Sequence, residues 1–145
     1  MALQDMAIRL FSMADYADAA ALWTSIPGVT LNEADTPEAI TAFLARNPGL
    51  SFVATDRNGQ LIGTVLCGHN GRAGHLYHLA VAPSHRNRGV GRALVERCFN
   101  HLAAAHIPRC NIFVYADNDV GNAFWLKAGW DDPATWKVLQ KHVQV

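Results

Sequence analysis

The stretch Leu79-Ala80-Val81-Ala82-Pro83-Ser84-His85-Arg86-Asn87-Arg88-Gly89-Val90-Gly91-Arg92-Ala93-Leu94 limits what this chain can become more than any other. It predicts a buried strand, a short basic loop, and a helix that opens on two glycines. Glycine lets a bulky anion come close to the backbone. The N–H groups of a first helical turn have no partner within the helix, and the helix dipole adds to their pull on negative charge. Arg86, Arg88 and Arg92 set fork-shaped cationic donors beside that turn. Residues Arg86, Asn87, Arg88, Gly89, Val90, Gly91, Arg92 and Ala93 together predict a cradle for a pyrophosphate. The Gly-Lys-Ser/Thr ending of a P-loop is missing, and so is the third glycine of the dinucleotide fingerprint. An ordinary basic turn before a helix is the plainer explanation of the same residues.

The rest of the chain reads as alternating strands and helices, without repeats or a linker. Met6 to Phe11 is a short strand. Ser12-x-x-Asp15 is a capping box opening a helix to about Ile26, stopped by Pro27-Gly28. Thr36-Pro37 starts a second helix with an apolar stripe at Ile40, Phe43 and Leu44. Ser51 to Thr55 and Gln60 to Cys67 flank the hairpin signal Asp56-Arg57-Asn58-Gly59. His75 to Ala82 is the next strand. Val90, Leu94, Cys98 and Leu102 mark the core face of a helix to about His106. Arg109 to Tyr115 reads as strand, Asp119 to Ala128 as helix, and Thr135 to Val143 as a last strand.

With 145 residues the expectation is one domain, 1–145, large enough to bury a core unaided. The formal net charge is zero, so no general field draws the chain to nucleic acid or to an anionic membrane. Cys67, Cys98 and Cys110 are odd in number and form no Cys-x-x-Cys pair, which predicts reduced thiols. His69, His75, His78 and His85 have no metal-ligand spacing, and no metal is expected. No leader and no membrane-length apolar run is read, and a cytoplasmic location follows.

Arg86-x-x-Gly89-x-Gly91, with Leu79-Ala80-Val81 before it, resembles the coenzyme A signature of the GNAT N-acetyltransferase superfamily. Asn118-x-x-Gly121-x-x-x-Trp125-x-x-x-Gly129-Trp130 is similar to that family's second segment. The resemblance runs from about His75 to Trp130. It implies an α/β fold of α+β type: a mixed, mostly antiparallel twisted sheet of about six to seven strands flanked by about four helices. It also implies direct acetyl transfer from acetyl-CoA to a primary amine, with acetyl-CoA and the amine acceptor as partners. A homodimer is common in the family.

By resemblance, Leu79, Ala80 and Val81 hold the pantetheine arm along a strand that bulges away from its neighbour. A backbone N–H at Leu79 or Ala80 then meets the thioester oxyanion. Asn118 and Trp125 line the cofactor channel. Neutralising a lysine-like amine at neutral pH costs roughly 4–5 kcal/mol, so a base is useful. His75 stands where many members carry a glutamate base, and imidazole suits the task. Tyr77 shares its face of the strand, and His78 faces away unless a bulge intervenes. Trp125 departs from the family's tyrosine acid, and indole cannot donate that proton. Tyr115 is the candidate replacement.

Each of these residues also has an ordinary explanation. His75 fits a strand histidine with a backbone partner, Trp125 fits core packing, and Asn118 fits a helix cap. Glu33 and Asp35 are candidates to attract a cationic amine, or are simply solvated. A coenzyme-A-binding sensor without turnover is the competing function, motivated by Trp125 and by the absence of a carboxylate at position 75. A phosphate-loop nucleotide binder is a third.

Overall fold

Near-continuous apolar runs in Phe52–Thr55 and Leu61–His69 are buried on both faces and form the centre of the sheet. Residues 5–145 are described in a computed structural model of the chain. The expectation about a leader falls partly on residues 1–4, outside the described residues. The chain separates into two compact units, one ending at Phe113 and the other running Val114–Val145.

The first unit carries the sheet, in the order β1 (Ala7–Leu10), β2 (Phe52–Thr55), β3 (Leu61–His69), β4 (Gly74–Val81) and β5 (Cys110–Ile112). The first four pair antiparallel, and β4–β5 is parallel. The Asp56–Gly59 turn closes the β2–β3 hairpin as expected, with the Asp56 carboxylate accepting from the N–H groups of Asn58 and Gln60.

Helix α1 (Tyr16–Ser25) follows a single 3-10 turn opened by the Ser12/Asp15 capping box. Helix α2 (Pro37–Arg46) starts at Thr36, whose hydroxyl accepts from Ala39 N–H, with proline in the first turn. Trp23 and Ile40 from these helices form one core with Phe11, Val53, Leu66 and Ala80. Helix α3 (Val90–Ala104) covers the other face with Val90, Leu94, Cys98 and Leu102, all buried. It stops two residues short of the expected His106. His106 takes the left-handed conformation, and Ile107 N–H returns to the Leu102 carbonyl.

The second unit holds α4 (Asp119–Lys127), which Asn118 caps and left-handed Gly129 follows. The expected strand over Thr135–Val143 does not form. Leu139 beside Val138 breaks the period of two, and Trp136, Val138, Leu139 and Val143 are exposed. The expected strand Arg109–Tyr115 shrinks to Cys110–Ile112, because its ladder with β4 ends at Leu76 and Ile112. The sheet of the described residues thus has five strands where six to seven were expected, with the expected four α-helices.

Candidate active site

The register of β4 is the geometric origin of the site. Thr64 pairs with Ala80, and two residues on Leu66 pairs with Tyr77. Val65 is therefore faced by two residues, His78 and Leu79, which is a β-bulge. His78 sits at φ 49°, in the left-handed region. On the other side of β4 the ladder to β5 ends at Leu76 and Ile112, so Tyr77 to Val81 have no strand partner there among the described residues. This is the bulged, half-open strand that the resemblance implied. It leaves the backbone edge of Leu79, Ala80 and Val81 available to an amide-rich chain.

The bulge also resolves the side-chain faces. His75 and Tyr77 share a face, their rings stacked at 6.4 Å. The extra residue turns His78 to that same face, where its ring lies 4.7 Å from that of Trp23. His78 Nε2 is 2.6 Å from Asp35 Oδ1, with the two side chains 15% and 8% exposed. The other Asp35 oxygen accepts from Asn32 N–H at 2.9 Å, and the Tyr16 hydroxyl donates to the Asp35 carbonyl at 2.6 Å. Trp23 Nε1–H donates to Thr64 Oγ1, which donates in turn to the His78 carbonyl, at 2.9 and 2.8 Å. Asp35 is thus no solvated loop acid.

Sequence reasoning missed this network. The available signal was Asn32-x-x-Asp35, which repeats the spacing of Ser12-x-x-Asp15 and forms a second capping box. The partners lie 43 and 41 residues apart in the chain, beyond any local pattern.

Three residues before the bulge, His75 borders a hollow of about 190 Å³ together with Phe43, Asn47, Gly68 and Tyr77. A Cβ on Gly68 would lie 2.8 Å from the Asn47 side chain, which would have to give up its place there. His75 Nδ1 is buried and lacks a hydrogen-bond partner. The expected backbone partner of an ordinary strand histidine is therefore absent at that nitrogen. Burial pushes the Tyr77 hydroxyl pKa up, so that group stays protonated at neutral pH.

The basic loop begins where β4 ends. Arg86 Nε–H reaches back to the Val81 carbonyl at 3.4 Å. Asn87 and Gly89 are both left-handed, at φ 61° and 81°. Gly89 is the N-cap of α3, and no side chain caps that first turn. Gly91 is buried, while Arg86, Asn87, Arg88 and Arg92 are exposed. Val90 and Ala93 lie in the same first turn, with Ala93 N–H bonded to the Gly89 carbonyl at 3.0 Å. An uncapped helix start with exposed Arg86, Arg88 and Arg92 within three residues of Gly89 offers donors and charge that suit a diphosphate.

In the second unit, Asn118 Oδ1 accepts from Gly121 N–H at 3.0 Å. A Cβ on Gly121 would stand 2.6 Å from the Asn118 amide, which explains glycine at that position. The Trp125 ring packs edge-on against Trp130 at 4.7 Å and Phe124 at 5.0 Å. Tyr115 is exposed, and its carbonyl accepts from Asn118 N–H.

Hydrogen bonding with Cys67 together with burial raises the Cys98 pKa, and burial pushes Cys110 up to about 12. Neither is a thiolate at neutral pH. Among the described residues no three His, Cys, Asp or Glu side chains gather to hold a metal, and no helix is long and apolar enough to cross a membrane.

The family model described as the acetyltransferase (GNAT) family matches residues 16–130. The chain belongs to the GNAT acetyltransferase family. An acetyltransferase of Yersinia pestis (strain Pestoides F) is 33% identical over 131 residues, covering 90% of this chain and 91% of that one. Two solved GNAT-like structures share the fold. One is a PaiA N-acetyltransferase from Thermoplasma acidophilum in complex with coenzyme A (TM-score 0.75, 19% identity, 87% of this chain and 89% of that chain). The other is an aminoglycoside antibiotic 6'-N-acetyltransferase from Acinetobacter baumannii (TM-score 0.76, 17% identity, 97% and 99%). As a GNAT member the chain is classed with acetyl-transferring enzymes.

Proposed function

We propose that this GNAT chain moves an acetyl group from acetyl-CoA directly to a primary amine of a small molecule, peptide or protein. The observation that carries the reading is the continuity of the bulged, half-open β4 with the uncapped, arginine-rich start of α3. A thioester with an amide-rich arm and a diphosphate needs those two surfaces in that order. The coenzyme A complex of the Thermoplasma neighbour supports the donor. The family match runs across Phe113, which supports treating 1–145 as one acetyltransferase domain.

In this reading Arg86 to Ala93 hold the diphosphate and Leu79 to Val81 the pantetheine. Backbone N–H at Leu79 or Ala80 stabilises the oxyanion. Asn118 and Trp125 are cofactor contacts. No cysteine carries the acetyl group, in keeping with the raised thiols of Cys98 and Cys110 and with the full burial of Cys67. His75, the base that the resemblance implies, has a buried Nδ1 with no partner within the chain. Four residues of strand, about 13 Å, separate it from Leu79, too far to take the amine's proton directly. Tyr115 is the candidate acid for the thiolate.

Calorimetric titration with acetyl-CoA tests the reading, with ATP and free coenzyme A as controls. Binding that ATP does not displace is expected, and Gly89→Trp or Gly91→Trp should abolish it while the protein stays folded. Unchanged affinity in both variants would sink the loop assignment. Thiol release across a panel of amines then separates an enzyme from a coenzyme A sensor.

A further inference from the structure

His78 occupies a place that ordinary packing does not favour. A histidine at φ 49° pays a backbone strain that glycine would avoid. Its side chain is nevertheless drawn to a nearly buried carboxylate at 2.6 Å, and its carbonyl is tied down by Thr64. We propose that His78, oriented by Asp35, is the base that takes the proton from the acceptor amine. The proposal rests on the acetyl-transfer reading above and names the group at which that reaction's proton arrives.

Three observations support it. First, the carboxylate fixes the tautomer. Asp35 accepts, so Nε2 carries the hydrogen of the neutral ring and Nδ1 keeps the lone pair. Asp35 is itself held by Asn32 N–H on its other oxygen. Second, the position is right. His78 is one of the two bulge residues and adjoins Leu79, whose backbone is assigned to the thioester oxygen. His75 lies farther up the strand. Third, the face is right. Helix α3 covers the opposite face of the sheet, with Val90 and Leu94 atoms 3.2 Å from where a Gly63 Cβ would be. An acceptor approaching along β4 must therefore come from the side of α1 and α2, where the His78 ring lies and keeps 15% exposure. The titratable group bonded to the ring is Asp35, whose backbone carbonyl accepts from the Tyr16 hydroxyl.

The step balances without a further reagent. The amine nitrogen forms a bond to the acetyl carbon, and the carbon–sulfur bond breaks. The nitrogen's proton passes to His78 Nδ1, the thiolate leaves and takes up a proton, and the imidazolium returns its proton to solvent.

His78→Gly and His78→Asn test this, since both residues accept the left-handed conformation. The readouts are acetyl-CoA affinity by calorimetry and thiol release with the best alkyl amine of a panel containing tyramine, spermidine, kanamycin and a peptide with a free N-terminus. Affinity should be unchanged while kcat falls by about 100-fold or more. With methoxyamine, whose nitrogen is already neutral at neutral pH, the fall should be less than about tenfold. Added imidazoles should rescue His78→Gly, with the rate rising with the basicity of the imidazole used. A group that only holds the bulge gives no such dependence. Asp35→Asn should lower kcat more than it raises KM, because an amide that donates to Nε2 selects the wrong tautomer.

The proposal is overturned if both His78 variants keep kcat within about threefold of the wild type. It is also overturned if alkyl amine and methoxyamine turnover fall equally, if rescue ignores imidazole basicity, or if the wild type binds acetyl-CoA yet acetylates no amine. Failure to bind acetyl-CoA at all is a different result, and it overturns the parent reading.

Discussion

A single side chain often explains its neighbour. Gly121 exists because Asn118 folds back onto its backbone N–H, and a Cβ there would strike the capping amide. Alanine normally gains helix propensity over glycine, but here it displaces a cap of about equal worth in a first turn where propensity counts less. Gly121→Ala is therefore expected to destabilise by about 0.5–1 kcal/mol, read as a lower urea midpoint. A higher midpoint would mean the amide swings away without loss. At this scale the sequence was partly legible. Asn118 was readable both as a cap and as a site residue, and the cap is observed. The pairing of Asp35 with His78 was not readable, because nothing local in either residue announces a partner 43 positions away.

At the scale of elements, starts and stops were written in short-range chemistry, and so they were legible. Thr36-Pro37, Asp56-Arg57-Asn58-Gly59 and the glycines before α3 all do what their local patterns dictate. The bulge in β4 was expected only by family resemblance, since it depends on how β3 and β4 meet. Gly89 tests the link between element and ligand. At φ 81°, alanine costs about 1–2 kcal/mol of stability and should weaken acetyl-CoA binding, measurable by melting and calorimetry on one sample. Before α1 a second prediction concerns acid. The Arg9 guanidinium bonds both Asp15 oxygens, at 2.8 and 2.7 Å, and holds that carboxyl below the usual range despite its burial. Its folded pKa is thus lower than the unfolded value near 3.9, so the stability it gives is present above that value. It is lost as pH falls through the lowered folded value. Asp15→Asn should cost about 1 kcal/mol at neutral pH, and the gap should close in acid below about pH 4.

For the whole molecule, a net charge of zero means that attraction for a polyanionic cofactor comes from the exposed arginines at one loop. Acetyl-CoA affinity should fall several-fold on raising salt well beyond about 0.15 M, while the unfolding midpoint hardly moves. An affinity indifferent to salt would place the diphosphate elsewhere. Fold class and family were legible because one strand–loop–helix stretch carries both. The strand count was not, because a strand exists only with a partner, and residues 135–143 show a strand-like composition without one. The bulge has a consequence for which changes the chain tolerates. Alternation along a strand is a matter of odd and even, and the extra residue at His78 and Leu79 flips that parity for all that follows in β4. A change of letter at position 78 touches one side chain. Deleting the residue changes the count instead: Tyr77 and Ala80 keep their partners Leu66 and Thr64, Leu79 alone faces Val65, and the bulge with the open backbone it creates is gone. This segment should accept exchange far more readily than loss or gain of length.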